Sequence, residues 1–246
     1  MPPATKPILL SGVQPSGRAH IGNYFGAMKQ FVDLEHQYRV FIMIADYHAL
    51  TTVQEPARLR QYVLDLAIDY LAIGLDPEQV VLFRQSAVPA HTELAWIFEC
   101  LTTMPYLSRA HAFKDAETRG KEINVGLFNY PMLMAADILL YDADVVPVGQ
   151  DQKQHLEIAR DTAEKFNRQY GEVFKLPKPL ILETVQTVPG LDGRKMSKSY
   201  HNTLPLFAED SEIEKLVMCI VTDSAGRRPQ NVYDIHKLFR PVAELD

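Results

Sequence analysis

The stretch Gly-Arg-Lys-Met-Ser-Lys-Ser-Tyr at residues 193–200 sets Lys195 and Lys198 among small and hydroxylated side chains, with no apolar periodicity to bury. An ammonium on a flexible stem is a compact point charge that can follow phosphate oxygens as they move during a reaction. Ser197 and Ser199 can add hydrogen bonds, and Gly190 and Gly193 let such a loop open and close. Near the other end of the chain, Gln-Pro-Ser-Gly-Arg-Ala-His-Ile-Gly-Asn-Tyr-Phe-Gly at residues 14–26 places His20 and Asn23 where a helix begins. Gly17, Gly22 and Gly26 remove side chains there, and the free N–H groups of a helix start attract anions. Phosphate binding is the chemistry both stretches would serve. Each alone is equally compatible with an ordinary turn, and the glycine spacing is not the GxGxxG dinucleotide fingerprint.

Two such stretches work together only if the elements between them bring them together. Residues 8–14 form an apolar run that ends in a turn and predicts a buried strand, followed by a helix from Gly22 onward and a second strand over 39–46. Helical spacing of Leu59, Tyr62, Val63, Leu66, Tyr70 and Ile73 predicts a helix over 56–73, and residues 80–85 predict a third strand. Residues 92–104 and 130–141 read as helices joined by a polar, charged connection, after which 144–149 reads as a strand feeding another helix. This alternation predicts an α/β fold: a Rossmann-like, doubly wound parallel sheet with a helical insertion around 89–142 and a C-terminal helical segment. Asp210 is the expected N-cap of the first helix of that segment, and the α/β domain is expected to span 1–205.

Bulk properties narrow the function. With 246 residues, 47% of them hydrophobic, the chain can bury a full core without staples. Its net charge of −6 opposes non-specific coating of nucleic acid, which needs clustered cations, so DNA is not an expected partner. No run is long and apolar enough to span a membrane and the start lacks a signal-peptide core, so a cytoplasmic location is expected. Cys100 and Cys219 each lie in an apolar helical pattern and read as buried thiols, and the histidines make no metal spacing with them. His36, His91, His111, His155, His201 and His236 read as structural or solvent-facing.

Taken together, "HIGN" after the first strand and "KMSKS" after the last resemble the paired signatures of the class I aminoacyl-tRNA synthetases. The segments "SGVQPSGRAHIGNYFGA", "ADYHALT", "YPMLMAADILLYDADVVPVGQDQKQH", "VPGLDGRKMSKS" and "IVTDS" are similar, in order, to the bacterial tryptophanyl branch of that family, over nearly all of residues 8–224. The resemblance implies an ATP-dependent ligase that activates L-tryptophan to tryptophanyl-AMP and then loads tRNA(Trp), with Mg²⁺ sharing the phosphate charge. It implies catalytic roles for Lys195, Lys198 and His20, and for Lys114 on the insertion. Gln14, Gly22, Asn23, Gly149, Asp151, Gln152, Met196 and Ser197 match positions around ATP or the adenylate. Asp137 matches the acceptor of the indole N–H, with Met134, Val146 and Leu10 packing the ring and Tyr130, His48 and Gln152 fixing the amino and carboxylate ends. The family often has phenylalanine where Leu10 stands and an acidic residue where Gln150 stands, and Gln150 is given no role.

By the same resemblance, the helices within residues 93–113 would form a homodimer interface. Residues 206–246 would be the beginning, incomplete here, of a helical domain that reads the tRNA anticodon. Three other readings stay open: a tyrosyl enzyme, whose phenol an aspartate also accepts; a small nucleotidyltransferase with a His-x-Gly-His signature; and a synthetase-like RNA-binding or regulatory protein.

Overall fold

The computed structural model describes residues 6–118, 120, 123–148, 153–180, 187–222 and 229–240. Strands β1 (Ile8–Val13), β2 (Arg39–Ile44), β3 (Val80–Arg84), β4 (Val145–Pro147) and β5 (Lys178–Leu180) form one sheet in the order β3-β2-β1-β4-β5. Every pairing is parallel: Ile8 lies opposite Arg39 and Val13 opposite Ile44, Val40 opposite Val80, Leu9 opposite Val145, and Val145 opposite Lys178. The order reverses between β1 and β4, and this switch point opens a crevice at the carboxyl ends of the strands.

Helices cover both faces, which is why the inner strands read as continuous apolar runs. On one face Leu10 and Val146 pack with Phe98, Met132, Ala135 and Ala159. These come from α5 (Ala90–Leu101), α8 (Val125–Leu139) and α9 (Lys153–Tyr170). On the other face Leu9, Ile42 and Ile44 pack with Phe31 of α2 (Lys29–Leu34) and with Leu66 and Tyr70 of α4 (Pro56–Ala72). A third cluster joins Ile21 of α1 (Ile21–Asn23) to Val188, Met196 and Leu204, and to Ile220 and Ile235. It draws the chain's last described helices, α10 (Asp210–Met218) and α11 (Gln230–His236), toward the first.

Several expectations need correction. The first helix is interrupted by a π-helical turn at Tyr24–Met28 between α1 and α2. Helix α8 starts at Val125 and carries Pro131 inside it, because the Asn124 side chain accepts the Leu127 N–H at 2.8 Å and caps it there. The polar, charged connection expected between two helices carries α6 (Met104–Leu107) and α7 (His111–Thr118). Glu209, not Asp210, occupies the N-cap of α10, and Asp210 falls in its first turn, where a carboxylate favours the positive end of the helix dipole. Strand β5 was not anticipated. Its described residues, Lys178–Leu180, lead in the sequence into Ile181 and Leu182, a short apolar run that carried the signal, and proline is tolerated in a strand that borders the sheet. Cys100 and Cys219 are free and exposed rather than buried. Helix α5 is apolar around most of its surface, with Phe98 inward and Trp96 and Ile97 outward, so periodicity could not tell which side Cys100 takes. Among the described residues no helix is long and apolar enough to cross a membrane.

Candidate active site

The two stretches that opened the chain's reading meet directly. The Ile21 N–H donates to the Leu204 carbonyl at 3.0 Å and the Leu206 N–H to the Ala19 carbonyl at 2.9 Å, stitching the first stretch to the segment that follows the second. The Lys198 ammonium donates to the Gly17 carbonyl at 2.9 Å. Met196 is buried against Gly22, where an added Cβ would lie 3.3 Å from the Met196 Cβ and 2.9 Å from His20 Nδ1. Glycine at position 22 is therefore a requirement of this contact.

The 188–202 loop is itself a folded turn. Met196 N–H donates to Val188 O at 2.8 Å and Leu191 N–H to Asn202 O at 2.9 Å, with Gly193 at φ 78° in the left-handed region that glycine tolerates. Asn202, 2% exposed, braces it: Oδ1 accepts from the Ser197 N–H at 2.8 Å, while Nδ2 donates to Asp192 at 2.6 Å and to the Lys195 carbonyl at 3.2 Å. Lys195 is exposed, and its ammonium has no hydrogen bond or ion pair among the described residues. Burial draws the Lys198 ammonium below the ordinary lysine value, opposed by the charge of nearby Asp69.

His20 ends the first stretch at the N-cap of α1, where its N–H donates to Asn23 Oδ1 at 3.1 Å. Burial, together with the Lys198 charge, lowers its pKa to about 4, so the ring is neutral at physiological pH. Its Nδ1 is buried with no hydrogen-bond partner. An orphaned buried polar atom is one that a ligand can satisfy.

On the other side of the crevice, α8 presents Asp137, 2% exposed, toward the ends of β2 and β3. Its Oδ2 pairs with His48 Nε2 at 2.8 Å, and its Oδ1 with His91 Nδ1 at 2.7 Å and Gln85 Nε2 at 2.8 Å. Burial alone would favour the neutral acid, but the hydrogen bonds from His48 and His91 outweigh it and hold the carboxyl below its usual range. His48 lies in α3 (Asp46–Ala49), directly after β2. The fully buried Gln85 accepts the Tyr47 and His48 N–H groups at 3.1 and 3.4 Å, and Gln14 Nε2 donates to the His48 carbonyl at 2.6 Å. Leu10 and Val146 belong to the apolar cluster that also takes in the chain neighbours of Asp137, Ala136 and Ile138, and Met134 packs against it. Tyr130, whose hydroxyl lies 2.7 Å from His155 Nε2, is one side of this floor, its pKa pushed up to about 12 by burial.

The structure thus assembles two groups. Lys198, His20, Gly22, Asn23, Met196 and Ser197 form a cationic, glycine-lined end, with Lys195 exposed on its loop. Asp137, His48, Tyr130, Leu10, Met134 and Val146 form an apolar end with one ionised acceptor, and Gln14 lies between the two ends. Lys114 is exposed on α7, and no hydrogen bond or ion pair links it to either end among the described residues. Gly149, Asp151 and Gln152 lie outside the described residues. Sequence reading missed Gln85, His91, Tyr141 and Asn202. For Gln85 a usable signal existed: a polar residue placed directly after an apolar parallel strand points into the crevice.

A model of the family described as tRNA synthetases class I (W and Y) matches residues 3–244. The chain is 54% identical over 239 residues to the tryptophan–tRNA ligase of Fusobacterium nucleatum, covering 95% of this chain and 74% of that one. It is 50% identical over 244 residues to the tryptophan–tRNA ligase of Rhodopirellula baltica, covering 97% and 76%. The crystal structure of tryptophanyl-tRNA synthetase from Campylobacter jejuni complexed with ADP and tryptophan superposes with a TM-score of 0.90 at 46% identity, covering 96% of this chain and 76% of that one.

Proposed function

The chain belongs to the class I tRNA synthetases of the tryptophan and tyrosine family, and from that membership and the geometry above we infer its reaction. It activates L-tryptophan with ATP, giving tryptophanyl-AMP and pyrophosphate, and transfers the tryptophan to the 3′ end of tRNA(Trp). Tryptophan rather than tyrosine is supported by relatives at half identity or more that act on tryptophan. The observation that carries the reading is the ionised acceptor Asp137, which lies on α8 between Ala136 and Ile138 of the apolar cluster to which Leu10, Val146 and Met134 also contribute.

In the first step a tryptophan carboxylate oxygen bonds to the α-phosphorus of ATP as the bond to the bridging oxygen of pyrophosphate breaks. A carboxylate is already a nucleophile at neutral pH, so no general base is required, and catalysis consists of positioning and charge stabilisation. Lys195 and Lys198 supply cations to the β- and γ-phosphates, and the neutral His20 contributes a hydrogen bond from Nδ1 rather than a charge. Asn23, Ser197 and Gln14 complete the ATP contacts, with Gly22, Met196, Gly149, Asp151 and Gln152 lining them and Lys114 reaching in from the insertion. Asp137 accepts the indole N–H, and a ligand without that donor leaves a buried acceptor unpaired. His48, Tyr130 and Gln152 hold the amino and carboxylate ends.

The donors at the phosphate end are lysines, an imidazole, amides and hydroxyls, and among the described residues no group of three or more His, Cys, Asp or Glu side chains is placed to hold a metal ion. That set fits Mg²⁺ carried on the nucleotide's own oxygens, where it would neutralise charge on the departing pyrophosphate. Residue 205 is proposed as a boundary of function more than of packing, since Ile220 and Ile235 share a cluster with Ile21 and Met196. The helices beyond it are assigned to tRNA recognition, and the location to the cytoplasm.

A homodimer is proposed through α5 and α6, where Trp96 is 67% and Met104 71% exposed beside exposed Ile97. Apolar side chains this exposed and this near one another mark an interaction surface. Light scattering at micromolar concentration is expected to give twice the 27.9 kDa of one chain, and a monomeric mass would reject the dimer. For the reaction itself, ATP–pyrophosphate exchange with each of the twenty amino acids supplied separately is expected to proceed with tryptophan alone. Exchange driven by tyrosine instead would replace the substrate, and exchange with none would sink the activity.

A further inference from the structure

Tyr141, His91 and Asp137 form a line of hydrogen bonds that the reaction above does not use. His91 is fully buried and both ring nitrogens are engaged, Nδ1 with Asp137 Oδ1 at 2.7 Å and Nε2 with the Tyr141 hydroxyl at 2.8 Å. An ionised Asp137 can only accept, so Nδ1 carries the proton. In a neutral ring Nε2 is then an acceptor, and the Tyr141 O–H donates to it. Burial, together with the charge of Asp137, pushes the Tyr141 phenol up to about 12, so that proton is present at neutral pH. Phe83 stacks on His91 with centroids 6.2 Å apart, and Phe41 and Phe83 lie 5.6 and 5.3 Å from Tyr141, which fixes both rings.

The consequence falls on Asp137. Its Oδ1 receives two donors, His91 Nδ1 and Gln85 Nε2 at 2.8 Å, which fills both lone pairs. Among the described residues its Oδ2 receives only His48 Nε2, at 2.8 Å, and keeps one lone pair. We propose that Tyr141 and His91 are positioning residues for amino-acid selection: by locking the donor tautomer onto Oδ1 they leave Asp137 one acceptor direction, on Oδ2 beside His48, for the ligand N–H. This rests on the reading of Asp137 as the indole acceptor. Without the Tyr141 hydroxyl, Nε2 loses its donor and only the Asp137 charge still holds the proton on Nδ1, so the wrong tautomer is less strongly opposed. In the wrong tautomer a lone pair faces Oδ1, and the carboxylate turns away from the ligand.

The test compares kcat/KM in ATP–pyrophosphate exchange for tryptophan and for 3-(benzothiophen-3-yl)alanine, in which sulfur replaces the indole N–H. The unsubstituted chain is expected to prefer tryptophan, and Tyr141→Phe to shrink that preference about tenfold while the KM for ATP stays within about twofold. An unchanged preference in Tyr141→Phe, whatever its melting temperature, overturns the proposal and leaves the Asp137 reading standing. No preference in the unsubstituted chain overturns the Asp137 reading itself, and the proposal with it. If Tyr141→Phe does not fold, His91→Asn, whose amide can still donate toward Oδ1, is set against His91→Leu, which cannot. The asparagine variant is expected to keep more of the preference, and equal preferences in the two would overturn the proposal.

Discussion

Lys195→Ala slows tryptophanyl-adenylate formation by about 10²–10³-fold, the usual loss when one pre-positioned charge at a developing transition state is removed. The Kd for tryptophan moves little, because the lysine belongs to the phosphate end and not to the apolar slot. The structure makes this a clean variant. The ammonium of Lys195 is exposed and without a hydrogen bond or ion pair among the described residues, so folding stability should change by no more than about 0.5 kcal/mol. Lys198 is different: it donates to the Gly17 carbonyl at 2.9 Å, and its removal also loosens the first signature. Single-turnover adenylate formation and equilibrium dialysis with tryptophan separate the two terms. Equal losses in rate and in tryptophan binding would contradict a transition-state role for Lys195.

Asp137→Ala is expected to lower both stability and tryptophan use. The substitution strands three donors, His48 Nε2, His91 Nδ1 and Gln85 Nε2, in a site where Asp137 is 2% exposed. Removing one partner from a buried charged network costs roughly 3–5 kcal/mol, a large share of the roughly 5–15 kcal/mol that holds an ordinary domain together. Asp137→Asn keeps the size and loses the charge, and it isolates the pH dependence. The folded pKa lies below the unfolded value of about 3.9, so the carboxylate's contribution is complete above about pH 4. It is lost as the pH falls through the folded pKa, since the unfolded chain then binds the proton first. Urea denaturation between about pH 2 and pH 7 should therefore show a flatter acid limb in Asp137→Asn. A midpoint in Asp137→Ala equal to that of the unsubstituted chain would remove the network from the account of stability.

How far these features could be read beforehand depended on whether their physics is local. β1, β2 and β3 lie between helical layers, so their apolar runs announced them to within about two residues. β5 (Lys178–Leu180) lies at the sheet's border, paired to β4, and its signal, the Leu180-Ile181-Leu182 run behind a lysine and a proline, is short and easily passed over. The two signatures were legible because glycines, lysines and a helix-start histidine act through backbone geometry and charge within a few residues of one another. The selection network was not. Gln85 follows β3, His91 opens α5 and Tyr141 follows α8, and each looks unexceptional until the fold brings it toward Asp137. The same limit explains Cys100, whose exposure depends on which side of an apolar helix finds a neighbour.

The two backbone hydrogen bonds that join Ala19 and Ile21 to Leu204 and Leu206 set an order on assembly during synthesis. The described residues of the proposed indole slot, from Leu10 to Val146, and the network beneath them have all left the ribosome while residues 204–206 are still being added. Domains fold as their parts emerge, and contacts between distant segments pay their loop-closure entropy last. The slot can therefore form around tryptophan in a nascent chain, whereas the phosphate end closes only when the later segment arrives to dock on the first. A chain stalled between the two events could hold the amino acid but could not yet spend ATP on it.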